Sequence, residues 1–164
     1  MPAFDPPSQY RDRAPRFAEA LVLASIGRDC AGREASLAPE AAGAWQAMLA
    51  AATVSGITLL VVSAFRSVAR QEEIVARKLR QGLTWDQILA VSAYPGFSEH
   101  HTGTAIDLAT PECPDLVEAF EATAAFQWLQ QNAGRFGFTL SYPRNNSAGI
   151  TYEPWHWRWH EGQG

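Results

Sequence analysis

Apolar positions along the chain fall into blocks of helical and of extended spacing. From Ser36 the sequence is alanine-rich, with Trp45, Met48 and Leu49 on one side. Ser36 or Leu37 stands near the cap of this helix, Pro39 fits its first turn, and Gly56 is a natural stop. Residues 57–63, Ile-Thr-Leu-Leu-Val-Val-Ser, form a short apolar run rich in β-branched side chains and read as a buried strand. Ser67 suits the N-cap of a second helix to about Gln81, with Gly82 just beyond its end. Thr84 caps a shorter helix over 84–90, and the Pro, Gly and polar residues of 91–103 read as loop. Thr104 to Leu108 alternates into a short strand. A third long helix is expected over about 115–132, where Leu116, Phe120, Ala124 and Trp128 recur at helical spacing. Strands around 136–142 and 150–153, then an extended 154–159, close the chain. The pattern predicts an α+β fold, a small and mostly antiparallel sheet with helices packed against it. Residues 1–16, rich in Pro, Asp and Arg, read as an irregular arm. With the first short elements up to residue 35 they precede a core over 36–164, all in one domain.

Composition narrows the classes. Nearly half of the 164 residues are apolar, enough for an independent core. The net charge is -4 and no long basic run interrupts the sequence, so the electrostatic footprint of a nucleic-acid binder is absent. No apolar stretch approaches the length of a membrane span. The first residues, Met-Pro-Ala-Phe-Asp-Pro-Pro, lack the basic start and apolar middle of a signal peptide. The chain is then either cytoplasmic or a mature form, and the compartment stays open. Cys30 and Cys113 allow one disulfide or two free thiols, since two cysteines do not make a framework.

Candidate chemistry is confined to two short segments, which hold all four histidines. The first is Ser98-Glu99-His100-His101-Thr102-Gly103-Thr104-Ala105-Ile106-Asp107; the second is Glu153-Pro154-Trp155-His156-Trp157-Arg158-Trp159-His160. Zinc takes imidazole nitrogen and carboxylate oxygen as ligands, and a catalytic site uses three protein donors with one position open. A lone histidine is more often a hydrogen-bonded core or surface residue, and His101 and His160 read that way. Asp107 between Ile106 and Leu108 is harder to set aside, because a carboxylate in an apolar strand is costly unless paired with a cation or a metal.

The first segment matches Ser-x-His-x-x-Gly-x-Ala-x-Asp, and the second matches Glu-x-x-His followed by x-Arg-aromatic. Together they resemble the LAS metallopeptidases, a group that includes D-alanyl-D-alanine carboxypeptidases and dipeptidases, lysostaphin-like enzymes and the Hedgehog signalling domain. Within it the chain looks most like the D,D-carboxypeptidases of the vancomycin-resistance type. Flanking residues carry the same likeness: Ser63-Ala64-Phe65-Arg66-Ser67 with Gln71 beyond, and Ser141-Tyr142-Pro143 ahead of the second motif. The resemblance covers roughly residues 57–160.

That resemblance implies zinc ligands His100, Asp107 and His156, with Glu153 as general base. It implies that Arg66 stabilises an oxyanion or holds the peptide's terminal carboxylate, and that Ser98, Gln71 and Tyr142 line the substrate pocket. For those last three, plainer roles stay open: a loop hydrogen bond for Ser98, a solvated helix position for Gln71, a core position for Tyr142. Trp159 stands where relatives carry Tyr, which affects packing more than catalysis. The implied activity is zinc-dependent hydrolysis of a peptide bond in peptidoglycan stem peptides or their precursors. Removal of C-terminal D-alanine leads, because a bare terminus supplies the carboxylate for Arg66. L,D-carboxypeptidase, D,D-dipeptidase and endopeptidase follow, then a zinc-bearing binding module without activity. The expected species is a monomer, and the implied substrate favours the cell envelope or periplasm.

Overall fold

A computed structural model of the protein describes residues 15–162. The arm expected over 1–16 lies outside these but for its last two residues. The described chain begins by packing onto the loop that carries the first motif: Phe17 N–H donates to the Gly96 carbonyl and Ala20 N–H to the His101 carbonyl, each at 2.8 Å.

Strands β1 (Ala24–Arg28) and β2 (Glu34–Leu37) form an antiparallel hairpin, turned at Asp29–Gly32, whose Asp29 carboxylate accepts from the Ala31 and Arg33 amides. Helix α1 (Pro39–Val54) follows. It starts later than its composition suggests, because Ser36 and Leu37 pair with Ser25 and Ala24 in the hairpin. Strand β3 (Leu60–Ser63) leads to α2 (Val68–Arg80), capped by Ser67, whose hydroxyl accepts from the Arg70 amide at 3.0 Å. Helix α3 (Trp85–Val91) opens on a capping box between Thr84 and Gln87.

The segment read as loop contains one turn of 3₁₀-helix, Glu99–Thr102, and then β4 (Ala105–Ala109) crosses the molecule. The long helix expected over 115–132 is interrupted. A 3₁₀ turn covers Glu118–Ala122, and α4 runs only over Ala124–Asn132. Thr123 is the reason: its hydroxyl donates to the Phe120 carbonyl at 2.7 Å and accepts from the Phe126 amide at 3.1 Å. It therefore ends one element and caps the next. Strand β5 (Phe138–Leu140) is shorter than expected, and 150–153 is not a strand; the closing strand is β6 (His156–Trp159).

β3, β4, β6 and β5 lie side by side in that order, every pair antiparallel. Successive side chains on a strand point to opposite faces. Ile106 and Leu108 of β4 and Trp157 of β6 join the core with Trp45 and Met48 of α1 and Phe126 and Leu129 of α4. The alternate positions, Asp107 and His156, turn to the other face. Gly103 closes the 3₁₀ turn at φ +71°, and a Cβ there would lie 2.8 Å from the Ala38 backbone nitrogen. Glycine at this point of the first motif is required both by conformation and by space. Gly137 at φ +86° is similarly tight, a Cβ coming within 2.9 Å of Trp159 Nε1, which gives Trp159 a packing role.

Candidate metal centre

The ladder between β4 and β6 places Asp107 directly opposite His156. Side chains so paired share one face at close range, and here His156 Nδ1 lies 3.0 Å from Asp107 Oδ1. His100, in the 3₁₀ turn leading into β4, brings Nε2 to 3.1 Å from Asp107 Oδ2. The three donor atoms lie within 4.8 Å of one another, and all three residues are buried.

The far nitrogen of each ring fixes what the near one offers. His100 Nδ1 is 2.7 Å from the Ala64 carbonyl. A carbonyl only accepts, so Nδ1 carries the proton and Nε2 turns a bare lone pair toward Asp107. Two acceptors at that distance repel unless a cation stands between them. Burial holds the His100 pKa below its ordinary value, which keeps Nε2 unprotonated and free to serve as a metal ligand. On the other ring, Nε2 donates to Glu99 Oε1 at 2.9 Å and Nδ1 faces the site. Burial opposes charge on His156, but hydrogen bonds to Asp107 and Glu99 outweigh it and push its pKa up to about 10. The proton held so firmly occupies the place a cation would take, and ligands must give up such protons to bind a metal.

Asp107 is likewise opposed by burial, yet its two imidazole neighbours, His100 and His156, hold its carboxyl far below the usual carboxylate range. Glu99 is buried beside Arg158, whose Nη1 donates to Oε2 at 3.1 Å. Burial raises its pKa, but the hydrogen bond to His156 dominates and brings it to about 2. Two imidazole nitrogens, their rings braced from behind by the Ala64 carbonyl and the Glu99 carboxylate, and the Asp107 carboxylate make a donor set that fits zinc. The bracing residues Glu99 and Arg158 were not singled out from the sequence. Both sit inside the two motifs, and a charged residue next to a candidate ligand is the signal that would have found them.

Glu153 enters from the turn ahead of β6, its amide donating to the Tyr142 carbonyl at 3.0 Å. Its Oε2 lies 3.7 Å from His156 Nδ1. Burial pushes its carboxyl up to about 7, with Asp107 and Glu99 adding to the rise and His156 and Arg66 opposing it. A cleft of about 410 Å³ opens beside these groups, lined also by Arg66, Ser98 and Tyr142.

Arg66 Nη1 donates to Gln71 Oε1 and Nη2 to Ser63 Oγ, both at 2.9 Å. Its backbone is riveted to the first motif: Arg66 N–H donates to the His100 carbonyl at 3.1 Å, and His101 Nδ1 lies 2.7 Å from the Arg66 carbonyl. His101 is thus a buried hydrogen-bonded residue, as expected of it. Ser98 both lines the cleft and accepts from the His100 amide at 3.2 Å. The Tyr142 ring packs on His156, centroids 4.8 Å apart. Gln71 stands one layer back: it is 1% exposed, it is not among the residues lining the cleft, and its Nε2 donates to the Ala93 carbonyl at 2.7 Å. His160 lies outside the cluster, and Cys30 and Cys113 are both free thiols.

Comparison with known proteins places the chain in a family. The profile of the VanY family, described as D-alanyl-D-alanine carboxypeptidase, matches residues 34–162. The Bacillus subtilis protein YodJ is 41% identical over 123 residues, which are 73% of this chain and 45% of that protein. The chain spans about half the length of the curated relatives it matches first. Among solved structures, LdcB, an LD-carboxypeptidase, is similar with a TM-score of 0.76 and 34% identity, covering 88% of this chain and 71% of that one. The vancomycin-resistance D,D-pentapeptidase VanY in complex with Zn(II) is similar with a TM-score of 0.67 and 26% identity, covering 91% and 84%. With its motifs, its sheet and its buried His-Asp-His cluster accounted for, the chain belongs to the VanY family of D-alanyl-D-alanine carboxypeptidases.

Proposed function

We propose that the chain is a zinc metallopeptidase that removes the C-terminal D-alanine from peptidoglycan stem peptides or their precursors, with residues 36–164 as its catalytic core. The observation that carries this reading is the convergence of His100, Asp107 and His156 beside a buried carboxyl, Glu153, at the wall of a cleft. His100 Nε2, Asp107 and His156 Nδ1 hold the ion. When bound, zinc supplies Lewis-acid polarisation of a carbonyl and lowers the pKa of water to about 7.

Glu153 does the proton work. Its carboxyl, pushed up to about 7, is basic enough to take the proton of the attacking water and acidic enough to return it to the leaving amine. Arg66 meets the substrate's negative charge. Two of its five N–H donors are spent on Gln71 and Ser63, which hold the guanidinium plane, and the others serve an oxyanion or a terminal carboxylate. Gln71 acts through Arg66 as a positioning residue. Ser98 and Tyr142 shape the pocket around His100 and His156.

A substrate that ends in the cleft is favoured over one that threads through it. Thr151 donates its N–H and its hydroxyl to the Ala90 carbonyl, at 3.3 and 3.0 Å, joining two segments that border the cleft. A second reading, L,D-carboxypeptidase, draws on the likeness to LdcB. One chain supplies every residue of the site, so a monomer suffices. The substrate assigns the work to the cell envelope or periplasm.

The test is digestion of defined stem peptides with products identified by mass. Loss of one D-alanine from a peptide ending in D-alanyl-D-alanine is expected, along with sharply reduced cleavage when the C-terminus is amidated. Equal cleavage of amide and acid would shift the assignment to an endopeptidase. Cleavage only after an L-residue would shift it to the L,D class.

A further inference from the structure

The cleft extends beyond the His-Asp-His cluster to the last turn of α2, where Arg77 and Lys78 line it together with Ser92 and Ala93. Lys78 is half-buried, and its Nζ donates to Ser92 Oγ at 2.5 Å. Among the described residues it forms no ion pair. Burial holds the ammonium below its usual pKa, and the charged groups that act on it, Arg77 and Arg66, are both cations and lower it further.

Cations in the last turn of a helix commonly answer the helix dipole. Arg80, in the same turn and exposed, fits that reading. Lys78 differs, because it lines the substrate cleft, partly withdrawn from water, with its ammonium donating to the Ser92 hydroxyl. An arrangement of cations that repel one another costs stability in the empty protein and is relieved by an anion. Arg66 already has its guanidinium braced beside the metal centre, so the two cations can meet two separate carboxylates.

We propose that Lys78, with Ser92 beside it and Arg77 exposed at the cleft, forms a second carboxylate subsite that selects peptides bearing an acidic side chain near the scissile bond. This rests on the peptidase reading and names its substrate class more closely: a peptide with at least two carboxylates, one terminal and one on a side chain. A charge-assisted hydrogen bond in a partly desolvated cleft corresponds to about tenfold or more in selectivity.

The experiment uses peptides that end in D-alanyl-D-alanine and differ only in glutamate or glutamine at the second or the third residue before the scissile bond. Wild type is expected to prefer glutamate about tenfold or more in kcat/KM at one of these positions. In Lys78→Met the ratio should fall to near one, and Lys78→Arg should keep it above one. A wild-type ratio near one at both positions, or the same ratio in Lys78→Met as in wild type, overturns the proposal. If wild type cuts neither peptide, the peptidase reading fails by itself. The subsite is then judged by calorimetric binding of the same pair to zinc-loaded Glu153→Gln protein, with and without Lys78→Met. A glutamate preference that vanishes with Lys78 upholds it, and equal binding of the two peptides overturns it.

Discussion

On β4, Ile106 and Leu108 point into the core beside Trp157 of β6, while Asp107 between them lies on the other face, opposite His156. Both faces are buried, yet they are stabilised in unlike ways. The core face needs only matching shapes and loses little if one apolar side chain is exchanged for another of similar volume. On the site face each buried polar group depends on the next: Asp107 on the two histidines, His156 on Glu99, Glu99 on Arg158. That chain of contacts keeps the desolvation cost bearable and leaves a cluster whose unpaired lone pairs are complete only with a cation. One ladder of backbone hydrogen bonds thus carries stability on one side and chemistry on the other.

The comparison breaks most sharply at Glu153. Glu153→Ala should lower kcat by about 10²–10⁴-fold with zinc retained. A carboxyl raised from 4.5 to about 7 on folding destabilises the folded state increasingly as pH rises through that window and fully above it, so the zinc-free variant should melt at or above the zinc-free wild type above pH 7. Calorimetry and turnover assays on one preparation check both; near wild-type turnover would remove Glu153 as the general base. Next in size, Leu108→Ala on the core face should cost about 2–5 kcal/mol of stability without altering zinc per folded chain. A denaturant titration beside metal analysis reads this, and loss of zinc from the folded variant would show that the two faces are not separable.

Behind the site face, Glu99→Gln removes the charge that orients His156 but keeps the shape. Zinc affinity should fall by about 10–100-fold, measured by competition with a chelator. Unchanged affinity would reduce Glu99 to a partner of Arg158 alone. The smallest effect belongs to Ile106→Val, which should cost about 0.5–1.5 kcal/mol by thermal unfolding and leave kcat/KM as it was. A change in kcat/KM would mean that core packing sets the position of Asp107 more tightly than the strand register does.

The metal-binding candidates are legible because they lie in two contiguous motifs, whose joint resemblance to the LAS metallopeptidases implies His100, Asp107 and His156 as ligands. The sequence does not reveal that β4 and β6 pair with Asp107 opposite His156, a register fixed by the whole sheet. The role of Glu99 is not legible because it depends on touching a residue 57 positions away. The hairpin of β1 and β2 is not legible in the sequence because its exposed positions dilute the alternation of Ala35 and Leu37, the only buried residues in its strands. Helical spacing over 115–132 is real, but Thr123 satisfies backbone groups on both sides with its hydroxyl and so divides the run. The strand expected at 150–153 gave way to a turn organised by Asn146, whose side chain bonds Pro143, Ala148 and Ile150.

The central claim is that His100, Asp107 and His156 together hold one zinc ion. Elemental analysis of wild type and of His156→Ala, purified alike and corrected for folded fraction, tests it most directly. One zinc per wild-type chain and close to none in the variant is the predicted result; equal zinc in the two proteins would contradict the assignment.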